Sequence, residues 1–221
     1  MKKILGMFIA IISIFAMFTV PVSAAKGYEG YAIYRDGAFK IPVVLPSGFD
    51  WHAGLLDEPS TSYYKPVTHI SGPSPFVIKY DSWSNFIDGN TFKGVYKPKS
   101  GVTSAQRDLV KSMGRRLISE NIPYNAVVQV DWYTSCLGNW VFPDDIASVR
   151  CDGVVEYAYE YYGIKIYGSD STAFSEKPHW DVTWGNVINW DHHSGTAITP
   201  KKQCQNYMTR VLSYAPTGTY N

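Results

Sequence analysis

The chain has 221 residues, a formal net charge of +1 and 45% hydrophobic residues. That supplies enough apolar material for a well-buried domain of ordinary size. The near-zero charge, with no basic stripe interleaved with aromatics, excludes an electrostatic polyanion binder, nucleic acid included. Lys2 and Lys3 precede an apolar run from Ile4 to Val20, and Val22-Ser23-Ala24 has the form of a cleavage site. This pattern predicts a secretory signal peptide over residues 1–24. A spanning helix is the alternative, at the lower limit of length. The expectation is an exported, secreted protein with one domain over residues 25–221 and no stable membrane anchor after cleavage.

The first half of that domain reads as short strands and turns. Tyr31 to Tyr34 precedes Arg35-Asp36-Gly37, a hairpin signal, and Ala38 to Leu45 is the expected returning strand. Trp51 to Leu56, Tyr63 to Ser71 and Phe76 to Tyr80 continue an antiparallel meander. The second half is different. Thr103 or Ser104 caps a helix running to about Glu120, with Leu109, Val110, Met113, Leu117 and Ile118 as its apolar stripe. Pro123 ends it, and an aromatic-rich loop spans Asn125 to Val149. A helix begins at Cys151 and stops near Gly163. Thr199 and Pro200 open a last helix through about Leu212. Strands followed by helices predict an α+β fold, an antiparallel sheet packed against helices that include the cysteine helix.

Cys151 draws the chemistry. A helix N-terminus carries unsatisfied N–H groups and partial positive charge, which favour a thiolate nucleophile. Such a nucleophile needs a base, and the base needs an orienting partner. His52 and His69 lie on consecutive predicted strands, where antiparallel pairing can set two side chains next to each other on one face. Two unrelated strand histidines are the alternative. An odd number of cysteines outside the cell predicts one bridge and one free thiol; with Cys151 as nucleophile, Cys136 and Cys204 are left to pair. His179, His192 and His193 read as solvated loop residues, and no metal or cofactor is expected.

Arg150-Cys151-Asp152-Gly153-Val154-Val155-Glu156-Tyr157 resembles the cysteine motif of the NlpC-type papain-like cell-wall peptidases. Asn121-Ile122-Pro123-Tyr124 resembles their Gly-x-Pro-Tyr element, Trp51-His52-Ala53-Gly54-Leu55-Leu56 their histidine strand, and Val67-Thr68-His69-Ile70-Ser71 the strand of the third catalytic residue. The strands precede the cysteine helix, as in the circularly permuted branch that includes YiiX-like proteins and the lecithin–retinol acyltransferase group. The resemblance implies a permuted papain-like fold and a monomeric cysteine peptidase or amidase acting on peptidoglycan stem peptides. Cys151 would be its nucleophile, His52 its base, His69 the orienting residue and Tyr124 an oxyanion donor. It leaves two alternatives, an acyltransferase or hydrolase of lipid-linked amides or esters, and a binding module with a relict site. Arg150 and Asp152 depart from the family pattern, which has Asp and Ser there. Asp152 reads either as a binder of a substrate amine or as a first-turn acid favoured by the helix dipole.

Overall fold

The computed structural model describes residues 27–37, 50–57, 66–71, 76–126, 128–133, 142–166 and 198–214. The expected signal peptide, the returning strand Ala38 to Leu45, Cys136, His179, His192 and His193 lie outside these residues. The described strands are β1 (Ala32–Arg35), β2 (His52–Leu56), β3 (Val67–Ser71), β4 (Val77–Asp81), β5 (Phe92–Pro98), β6 (Val130–Trp132), β7 (Ile146–Val149) and β8 (Met208–Leu212). The main sheet runs β4-β3-β2-β1-β5-β8, antiparallel at each pairing. With helices α1 (Trp83–Ile87), α2 (Ser104–Ser119), α3 (Cys151–Glu160) and α4 (Pro200–Lys202), the architecture is mixed α+β with an antiparallel sheet.

Alternation sorts the strand residues between two faces. Ala32 and Tyr34 of β1, with Ala53 and Leu55 of β2, join a core completed by Val110, Met113 and Leu117 of α2 and Val154, Val155 and Ala158 of α3. Ile33, Leu56, Val67 and Val95 face the other way, onto Trp83 and Phe86 of α1. Helix α2 begins where expected, because Thr103 and Gln106 close a reciprocal capping box.

Three local expectations need correction. Arg35 ends β1 rather than opening the turn. The stretch read as a loop from Asn125 to Val149 contains β6 and β7, paired with each other. The expected last helix is only the turn of α4 and a π-helical turn over Gln203–Tyr207, after which the chain extends into β8. Thr199 does cap the turn, by accepting from Lys202 N–H. The open edge of β5 then decides the rest: Pro98 to Val95 pair with Met208 to Leu212. Tertiary pairing overrides the local helix signals.

Helix α3 is buried on all sides, not along one stripe. Several of its polar groups find hydrogen-bond partners within the protein. Gln203 Nε2 donates to Glu156 Oε2 at 2.7 Å and to the Asp152 carbonyl at 3.0 Å, and Tyr34 donates to Gln203 Oε1 at 2.8 Å. Burial first, and then neighbouring Glu160, push the Glu156 carboxyl well above its usual range. A protonated Glu156 avoids placing two charges together in a dry interior.

Candidate active site

The start of α3 is held by the chain on either side of it. Tyr124 bridges to Val149, the Val149 N–H donates to the Pro123 carbonyl at 3.0 Å, and the Arg150 N–H donates to the Gln129 carbonyl at 2.9 Å. These contacts bring the Pro123-Tyr124 element beside the first turn of α3. A Cβ at Gly153 would collide with the Gln129 carbonyl oxygen and the Val149 side chain, so the close approach requires glycine.

The position of Cys151 follows from the register of β2. The Leu56 N–H donates to the Tyr31 carbonyl, so the even-numbered residues of β2 turn their backbone groups toward β1. The Trp51 carbonyl and the Ala53 N–H must then face the opposite edge. There, β3 pairs with β2 only at Leu55↔Thr68 and Leu56↔Val67. Cys151 Sγ occupies the vacated edge, 4.0 Å from the Trp51 oxygen and accepting from the Ala53 N–H. The sulfur is thus fixed against the backbone on both sides of His52.

His52 and His69 do form the expected pair. Nε2 of His52 lies 2.8 Å from Nδ1 of His69. Nε2 of His69 in turn lies 3.4 Å from Asp81 Oδ2. Gly54 makes room for this arrangement, since a Cβ there would press on His69 Cβ and Phe86 at 3.2 Å. Burial opposes ionisation of Asp81, but hydrogen bonds from His69, Asn85 and the Ser82 N–H outweigh it and hold the carboxyl at about 2. An ionised Asp81 accepts the His69 Nε2–H. The His69 Nδ1 is then an acceptor, so His52 donates from Nε2 and keeps the Nδ1 lone pair free for a proton. Asp81 lies one residue past the expected end of this strand at Tyr80. Strand alternation held the signal: His69 pairs with Lys79, and Asp81 is the next residue on the same face.

The charge state of the site differs from the expectation of a thiolate. Burial, and then the Asp152 carboxylate, push the Cys151 thiol up to about 12, against the Ala53 N–H and Arg150. Burial also drives His52 well below its ordinary 6.5, helped by His69 and Arg35. Desolvation therefore outweighs the helix N-terminus, and the resting pair is neutral thiol and neutral imidazole. Among the described residues no hydrogen bond joins the sulfur to His52 directly.

A pH profile checks this arrangement. We expect kcat/KM to hold through about pH 6.5, the ordinary histidine value, and to fall only well below it, where the buried His52 takes up a proton, with no alkaline limb near neutrality. Because folding lowers both histidine pKa values, the unfolded chain takes up protons that the folded chain refuses. Stability is therefore full above the unfolded value and declines as pH falls below it. A resting thiolate–imidazolium pair would instead give an alkaline loss as the imidazolium deprotonates.

Tyr124 is half-buried, and burial followed by the charge of Cys151 raises its phenol pKa strongly. Asp152 is different. It is fully buried and accepts from Arg150 Nε at 2.5 Å, Arg150 Nη2 at 2.7 Å and Gln129 Nε2 at 3.2 Å. Its carboxylate is taken up by these internal donors and does not meet a substrate amine. The alternative role, an acid in the first turn of the helix, fits its position. Cys204 is a buried thiol with the Tyr96 hydroxyl as a hydrogen-bond partner, and its expected disulfide partner Cys136 lies outside the described residues. Cys204 lies in the main core.

No protein-family model matches this chain, and no curated protein or solved structure matches it. The site must be read from its own chemistry. Among the described residues no cluster of His, Cys, Asp and Glu suits a metal ion, and no helix is long and apolar enough to cross a membrane.

Proposed function

We propose that this protein is a secreted cysteine hydrolase of the circularly permuted NlpC type, acting on amide bonds of peptidoglycan stem peptides. One observation carries the reading: the Cys151 sulfur is fixed at the edge of β2 against the backbone that flanks His52, the residue that begins the His52–His69–Asp81 chain. The order of histidine strands before cysteine helix, with Tyr124 at the start of that helix, also supports the permuted arrangement.

The chemistry runs as acyl transfer to water. His52 Nδ1 takes the Cys151 proton as the sulfur attacks the amide carbonyl. The resulting imidazolium gives that proton to the leaving amine, and a thioester remains. His52 then removes a proton from water, which attacks the thioester and releases the acid and the thiol. His69 and Asp81 hold the His52 tautomer through both steps. Tyr124 donates to the developing oxyanion, a contribution typically of about 3–4 kcal/mol.

The test is release of soluble muropeptides from purified peptidoglycan by wild type and Cys151→Ala. Release by the wild type and none by the variant is the expected result. Equal release from both would remove catalysis by this thiol.

A further inference from the structure

Arg35 is a strong cation beside the site that the proposed chemistry leaves unused. It is directly opposite His52 in the β1–β2 ladder, so the two side chains share a face. The residue is only 5% exposed. Its guanidinium lies over the Phe86 ring at 5.8 Å, the ring that His52 and His69 also contact. Nη1 donates to the carbonyls of Asp36 and Gly37, while Nε, an edge of the guanidinium fork, is buried and has no hydrogen-bond partner among the described residues. Asp36 pairs with Lys93 at 2.6 Å. Asp88 and Asp36 act on Arg35 through space, as does the Cys151 sulfur, but no ion pair of Arg35 with a described carboxylate exists.

A buried cation is costly to keep without a counter-charge. An unpartnered N–H edge on a planar guanidinium matches the geometry of a carboxylate. We infer that Arg35 receives a carboxylate of the substrate next to the scissile amide, and so selects anionic substrates over their neutral counterparts. This rests on the hydrolase reading of Cys151, and it specifies what that site takes.

Two alkylating reagents of nearly equal size separate the questions. Iodoacetate carries the carboxylate, and iodoacetamide does not. Peptide mapping reads modification at Cys151 alone, and each rate is divided by that of free cysteine in the same buffer. In wild type the normalised iodoacetate rate should exceed that of iodoacetamide by about tenfold, the lower end of what charge focusing in a cleft gives. Arg35→Gln should bring the ratio to about one, and Arg35→Lys should leave it in between. If Arg35→Gln does not fold, N-acetyl-D-alanine should protect wild-type Cys151 from iodoacetamide where its carboxamide does not. A wild-type ratio near one, a ratio unchanged in Arg35→Gln, or equal protection would overturn the inference while leaving the nucleophile standing. A Cys151 that iodoacetamide cannot modify would overturn the hydrolase reading, and the inference with it.

Discussion

His52→Ala is expected to lower kcat/KM for stem-peptide hydrolysis by about 10⁴-fold or more, since nucleophile and base act as a unit. The neutral resting pair makes the loss larger than it would be for a preformed thiolate. With a thiol held at about 12, almost no thiolate exists at neutral pH without a base to take the proton. The variant should therefore regain rate as pH rises, roughly tenfold per unit as the thiolate fraction grows. Asp81→Asn acts one partner further out and should cost about 10–100-fold, as outer-shell partners of histidine ligands do. Steady-state kinetics on a defined muropeptide, with thermal melts to confirm folding, check all of this. A His52→Ala variant that keeps wild-type kcat/KM would end the assignment of His52 as base.

Asp152→Asn should produce the largest loss of stability, about 3–5 kcal/mol, by leaving the Arg150 guanidinium buried without its counter-charge. In a domain of this size that lowers Tm by about 10 °C. The double variant Arg150→Met with Asp152→Leu should recover most of the loss, because apolar side chains of similar volume commonly replace a buried ion pair at little cost. Differential scanning calorimetry of the three proteins decides the point. An Asp152→Asn variant with an unchanged Tm but altered substrate preference would return this residue to a recognition role.

Much of the site was readable where local rules operate. The apolar spacing after Cys151 marked a helix, and the two histidines on consecutive strands suggested a pair. Asp81 was not readable, because its partner is fixed by the β3–β4 register rather than by any pattern within β4. Asp152 misled for a related reason. A first-turn acid is ordinary, and nothing in the spacing shows that the Arg150 side chain folds back onto it across two residues. The helix expected after Pro200 had correct start signals, but a strand was waiting to be paired on the far side of the sheet. In each case the decisive partner was remote in sequence or lay outside helix and strand periodicity.

The place of β8 also governs when the candidate site comes together. Pro98 finds Met208 only after the intervening chain, Cys151 included, has been made, and the sulfur meets Trp51 across a separation of 100 residues. Such long closures carry an entropic cost before any contact rewards them, so they come slowly relative to helix formation. A nascent chain that has delivered its histidine strands still has no nucleophile beside them. Assembly of the reactive pair is thereby delayed until the sheet can be completed, and the unfinished polypeptide stays chemically silent.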